Sequence, residues 1–343
     1  MLVACAAMFG FMVAVPIGQE SVAGGFLIAL DFAAIDEQGR PVVDLRPEEV
    51  VLRVGRETAE VRGLRFLPAT SDAARAATRS PGRTFGAAEA VDFDRSFLLV
   101  VDHESLPQGN EQSTREAISG FVRRLSPRDR VGLVTVPHGG VRVPVTTDHS
   151  GVLQSVQRVS GRAPTRESAA DAACRARNVL QELDVLLSRA LSADGPAVLV
   201  LFSGSMYDGG GAIQAPLGTP IGCDLQLSEF QQLGVRTAQS RTYTYIVQPE
   251  TFVKPAWTSN PRSGLEQLAG ATGGRIVQLS GRDVNVLDRV RLEMSGLYAA
   301  QVRLRSKPRS GSTHAISIKV NRPGVTVVAR PQLAIPSSPQ SAQ

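Results

Sequence analysis

Lysine is almost missing from this sequence: Lys254, Lys307 and Lys319 are its only copies, although Lys and Arg together number 37. The net charge of +5 therefore comes from scattered arginine, and no run of five basic residues occurs. Aromatic residues make up only 5%, too few for a platform on which bases stack. These two shortages argue against a nucleic-acid partner. Cysteine occurs three times, with no CxxC and no Cys/His spacing of the kind a zinc site needs. Long apolar runs are scarce too. The uncharged stretch from Leu2 to Gly18 is short of the roughly 20 residues that span a bilayer, and Pro16 and Gly18 break its end.

What is present reads as a globular protein. With 343 residues, 43% of them hydrophobic and 20% charged, the chain can bury a core without metal or disulfide staples. Residues 1–24 read as a signal peptide or an N-terminal anchor, with Ser21, Ala23 and Gly24 as small residues near a cut. No Lys or Arg precedes the apolar run, and the lipobox-like Leu2-Val3-Ala4-Cys5 opens the run instead of following it. The expectation is an exported chain (periplasmic, secreted or at the cell surface) with no membrane insertion beyond that anchor. In such a compartment Cys174 and Cys223 are candidates for one disulfide, and two separate buried thiols fit equally well.

Periodicity divides the remainder. Residues 25–67 alternate with period two, interrupted by the turn Asp36-Glu37-Gln38-Gly39-Arg40-Pro41. Residues 68–92, rich in Ala, Arg, Ser and Gly, read as a flexible linker. Over 93–295 strands and helices alternate. Ser96 to Val101, Val131 to Val136 and Ala197 to Phe202 are continuous apolar runs, as in buried parallel strands. Between them Ile118, Phe121, Val122 and Leu125 share one helical face. Residues 296–334 return to strands, and 335–343 form a polar tail expected to be disordered. Neither β flank has enough strands to bury two faces alone. The expected architecture is a doubly wound α/β domain inserted in a small all-β sandwich built from both flanks.

The order of several segments resembles the von Willebrand factor A-related proteins of acidobacteria and their neighbours. They are Asp36 to Leu45, Phe97-Leu98-Leu99-Val100-Val101-Asp102, Leu125-Ser126-Pro127-Arg128-Asp129-Arg130-Val131-Gly132-Leu133-Val134 and Thr146-Thr147-Asp148. Leu268-Ala269-Gly270-Ala271-Thr272-Gly273-Gly274, Asn321-Arg322-Pro323-Gly324 and Ala329-Arg330-Pro331 complete the series. The resemblance spans nearly the whole chain after residue 24. It implies a Rossmann-like A domain and a loop face at the carboxyl ends of its strands. Intact members hold a divalent ion there through Asp-x-Ser-x-Ser, a threonine and an aspartate.

Here the first element reads Asp102-His103-Glu104-Ser105-Leu106, Thr165 is the candidate threonine, and Gly204 falls where the aspartate would be. Asp102, Glu104 and Thr165 are thus the candidate metal ligands of a degenerate site. It would hold Mg²⁺ or Mn²⁺ no tighter than the millimolar range, about 4 kcal/mol. Asp102, His103, Glu104, Thr165, Ser203 and Ser205 are the expected partner-binding face. The expected function is non-enzymatic protein binding or scaffolding, with no cofactor. A metal-dependent adhesion domain is the alternative, and a hydrolase using Ser203 or Ser205 is a more remote one, because G-x-S-x-G is absent.

Overall fold

The computed structural model describes residues 21–22, 25–69, 93–190, 196–208, 223–249, 260, 262–279 and 287–335. The expected signal or anchor, the linker and the polar tail lie almost wholly outside these residues.

The central unit is a six-stranded sheet. Its strands are β5 (Ser96–Asp102), β6 (Arg130–Val136), β7 (Arg142–Thr146), β8 (Ala197–Phe202), β9 (Thr242–Pro249) and β10 (Arg275–Leu279). They lie in the order β10-β9-β8-β5-β6-β7. All neighbours are parallel except β7, which turns back antiparallel on β6 through the Pro137–Val141 loop. The continuous apolar runs arise because both faces are covered. On one face α1 (Gln112–Arg124) and α2 (His149–Val156) bury Ile118, Phe121, Val152 and Val156 against Phe97, Leu99 and Val131. Asp148 caps α2, its carboxylate accepting from the Gly151 amide at 3.1 Å. On the other face α3 (Ala169–Ala190), α4 (Leu227–Gln239) and α5 (Ser263–Thr272) pack Val179, Leu183, Phe230 and Leu268 on Val100, Leu199 and Ile246. Alternate residues of each strand serve opposite layers, as the pleat requires.

The β flanks form a second sheet. It contains β1 (Ser21–Val22), β2 (Gly25–Ile35), β3 (Val50–Val54) and β4 (Glu57–Pro68) from one side of the insertion. From the other side come β11 (Gly296–Leu304), β12 (Thr313–Val320), β13 (Thr326–Val328) and β14 (Gln332–Ala334). The order is β1-β2-β11-β4-β3-β12-β14, with β13 off this path, pairing Ala33–Ile35 of β2. The expected sandwich of two facing sheets is not confirmed: the strands form one continuous antiparallel path that encloses its own apolar cluster. In that cluster Tyr298 stacks on Phe32 with centroids 5.5 Å apart and meets Phe66 edge-on at 5.3 Å, and its hydroxyl accepts the Leu45 amide at 2.9 Å. β11 lies between β2 and β4, so strands more than 220 residues apart in sequence complete each other.

The two sheets share a core. Ala33 and Ile35 of β2, Leu297 of β11 and Val328 of β13 join the cluster under α1 and α6 (Asp288–Glu293). Asp31 enters the same seam. Its carboxylate accepts both ends of the Arg330 fork at 2.9 and 3.1 Å, the Tyr243 hydroxyl at 2.7 Å and Arg241 at 3.1 Å. Burial opposes its ionisation, but the Arg330 and Arg241 guanidiniums and the Tyr243 hydroxyl hold the carboxyl well below its ordinary range. Gly273, left-handed at φ 68, ends α5 where a Cβ would collide with the Pro331 ring.

Candidate functional site

β5 and β8 are adjacent, so their carboxyl ends bring Asp102 and Ser203 side by side. The Ser203 hydroxyl donates to Asp102 Oδ2 at 2.8 Å. Ser105, in the single turn after β5, donates to the Asp102 carbonyl at 2.7 Å and accepts the Gly204 amide at 2.8 Å. Gln248 of β9 donates to the Gly204 carbonyl at 2.9 Å. Each loop end is thereby tied to the next, with little dependence on the sequence between them.

The positive charge at this point is an arginine. Arg175, in the second turn of α3, donates through Nη1 to Asp102 Oδ2 and to the Ser205 carbonyl, both at 3.0 Å. Its Nε and Nη2 fork onto Glu167 at 2.8 and 3.2 Å. Asp102 is fully buried and Arg175 nearly so. Burial disfavours the charged guanidinium, but Asp102 and Glu167 outweigh it and keep Arg175 protonated. For Asp102, burial pushes the carboxyl up from its ordinary value, against the pull of Arg175 and Ser203.

Of the expected ligand set, only Asp102 lies in this cluster. Glu104 turns outward and meets His138 Nδ1 at 3.2 Å. Thr165 is exposed in the loop before α3, and Glu167 is the residue of that loop that reaches Arg175. Leu106 packs into the core. Of the six residues of the expected binding face, Asp102, His103, Ser203 and Ser205 are buried, and Glu104 and Thr165 offer side chains to solvent. His103 donates through Nε2 to the Pro137 carbonyl at 2.9 Å. Among the residues next to this buried knot, Glu104, His138, Arg162 and Thr165 reach solvent.

The donor set does not suit a resident divalent ion. One Asp102 oxygen, Oδ1, has no hydrogen-bond partner, yet the other already carries a fixed cation. A divalent ion at Oδ1 would stand beside that guanidinium and be repelled by it. Among the described residues no group of three or more His, Cys, Asp or Glu is arranged to hold a metal.

Arg175 escaped the sequence reading, although a signal existed. Ala172, Ala176, Val179 and Leu183 form the buried stripe of α3, and Arg175 falls on its edge, where a lone charge requires a buried partner. Cys174, next in the chain, is bridged to Cys223 with Cα atoms 4.5 Å apart, which pins the start of the segment leading into α4 onto α3 beside Arg175.

No family model matches this chain, and no curated protein does either. Among solved structures it is similar to the SpRpn10 VWA domain, at 12% identity over 57% of this chain and 93% of that one, with a TM-score of 0.35. It is also similar to the vWF domain of the type V pili tip protein Mfa5 from Porphyromonas gingivalis, at 14% identity over 58% of this chain and 86% of that one, TM-score 0.28. A three-domain N-terminal structure of Mfa5 aligns at 13% identity with 70% of this chain and 37% of its own length, TM-score 0.26. Among the described residues no helix is long and apolar enough to cross a membrane.

Proposed function

We propose that this chain is an exported, non-enzymatic protein-binding or scaffold module built on a von Willebrand factor A-like domain, in which the Asp102–Arg175 pair stands in for the ion. The strand order with a single antiparallel edge supports the A-like reading, as do the segments that carry the family resemblance. The observation that carries the functional reading is the 3.0 Å contact from Arg175 Nη1 to Asp102 Oδ2. An ion at this position leaves one coordination site for a partner's carboxylate. A buried guanidinium already spent on Asp102, Glu167 and Ser205 offers none. Its role is to hold three loop ends in fixed relative positions, and partner contact passes to the accessible groups above it.

The geometry at Ser203 does not favour the hydrolase alternative at that residue. Ser203 is fully buried, and its hydroxyl donates to a carboxylate and not to an imidazole. Export is supported by the apolar N-terminal segment and by the Cys174–Cys223 bridge, which suits an oxidising compartment.

The test is capture of a protein partner by the chain from residue 25 onward, repeated in EDTA and in millimolar Mg²⁺. Equal capture in both is the expected outcome. Loss of capture in EDTA, restored by Mg²⁺ and abolished by Asp102→Ala, would establish the metal-dependent adhesion reading instead.

A further inference from the structure

A second site lies beside this cluster, on the β6–β7 side of the sheet. A cavity of about 270 Å³ opens between the Pro137–Val141 loop and the segment that follows α2. Three arginines line it, Arg142 from β7 and Arg158 and Arg162 from the segment after α2, together with Ser160. His103 and Thr135 close its inner wall. No carboxylate lines the cavity.

We propose that this cavity binds a dianionic phosphoryl group, as a phosphate monoester. The argument is one of charge and donors. All three side chains are exposed; guanidiniums gathered around a concave space repel one another, and an oxyanion shared between them relieves that repulsion. Each presents planar N–H forks that match phosphate oxygens in pairs. Arg158 rests its Nη2 on the Ser155 hydroxyl at 2.8 Å, and Arg142 makes one exposed ion pair with Glu182 at 3.6 Å. Arg162 is positioned by its backbone, whose amide donates to the His103 carbonyl at 2.7 Å, and its side chain is exposed. A single carboxylate would satisfy one fork and leave two cations facing each other, so a dianion with three terminal oxygens matches the site better. The wall opposite the arginines is rigid: Thr135 Oγ1 donates to the Gly139 carbonyl and accepts the Val141 amide at 2.9 Å. The cavity exceeds the size of a bare phosphate, which leaves room for the first atoms of the esterified group. This assignment does not depend on how the Asp102 cluster is read.

Calorimetric titration of the full chain with inorganic phosphate at low salt tests it. Saturable one-site binding in the millimolar range or tighter is expected. It should weaken about tenfold in the double variant Arg158→Gln, Arg162→Gln, and again when salt rises to about 500 mM. Arg142→Gln alone, on an exposed hairpin, should weaken it about threefold and serves if the double variant does not fold. Arg56→Gln, on an exposed turn of the other sheet, should leave affinity unchanged. A phosphoserine peptide that binds more tightly than glycerol phosphate would identify a protein-borne group, and the reverse order a free ester. The proposal is overturned by absence of saturable binding at about 20 mM phosphate. Undiminished binding by the arginine variants, or a glutamate peptide that binds where phosphate does not, overturns it equally.

Discussion

Arg175 Nη1 donates to Asp102 Oδ2 at 3.0 Å across 73 residues of sequence, and neither side chain reaches solvent. The carboxylate that ends β5 is therefore compensated from within the protein, by a group that cannot be chelated or exchanged. This pairing fixes the expected behaviour of the site under mutation and metal.

Replacing Arg175 by Met leaves Asp102 buried without its counter-charge. Urea denaturation should show a loss of about 3–5 kcal/mol, with part regained when Asp102→Asn is added. The single variant should also gain a Mg²⁺-dependent rise in melting temperature that the parent chain lacks. A parent chain that responds to Mg²⁺ as strongly as the variant would count against the replacement of ion by arginine.

Acid should loosen the seam between the two sheets. Asp31 has a folded-state pKa below its unfolded one, so its stabilising contribution is present above the unfolded value of about 3.9 and is lost as pH falls below it. Unfolding free energy should drop through that range, and Asp31→Asn should be less stable at pH 7 with a shallower acid limb. An identical acid limb in parent and variant would remove Asp31 from the account.

Opening the Cys174–Cys223 bridge, which spans a sequence separation of 49, should destabilise by about 4 kcal/mol on the chain-entropy argument. The double variant Cys174→Ser, Cys223→Ser should reproduce the effect of reductant. Two free thiols in the unreduced protein, detected by mass spectrometry, would refute the bridge.

Ile35 sits in the flanking sheet but packs in the core of the central one. Ile35→Ala should cost about 2–5 kcal/mol and lower a single cooperative transition. A fragment of residues 93–295, deprived of Ile35, Leu297, Val328 and Asp31, should melt well below the full chain. Equal melting temperatures would mean that the shared core contributes nothing to the central sheet.

Much of this architecture was legible beforehand, and particular residues show why. Ile118, Phe121 and Val122 recur with the period of a helix because one side of α1 is buried, and the apolar run of β8 has no polar alternation because both its faces are covered. Asp102 stood out through the family resemblance, as the leading residue of the Asp102-His103-Glu104-Ser105-Leu106 element. A strand's own sequence records how it is buried but not which strand lies beside it or in which direction. The antiparallel sense of β7 and the placement of β11 between β2 and β4 were therefore not readable.

The sequence alone determined the elements, their apolar faces and the point where a charged side chain would end β5, since each depends on burial repeated at fixed local spacing. Only the tertiary structure decided that Arg175 would meet Asp102, that Glu104 and Thr165 would turn away, and that Arg142, Arg158 and Arg162 would share one cavity. Those relationships join side chains from separate elements, and no local spacing encodes the direction in which a loop returns.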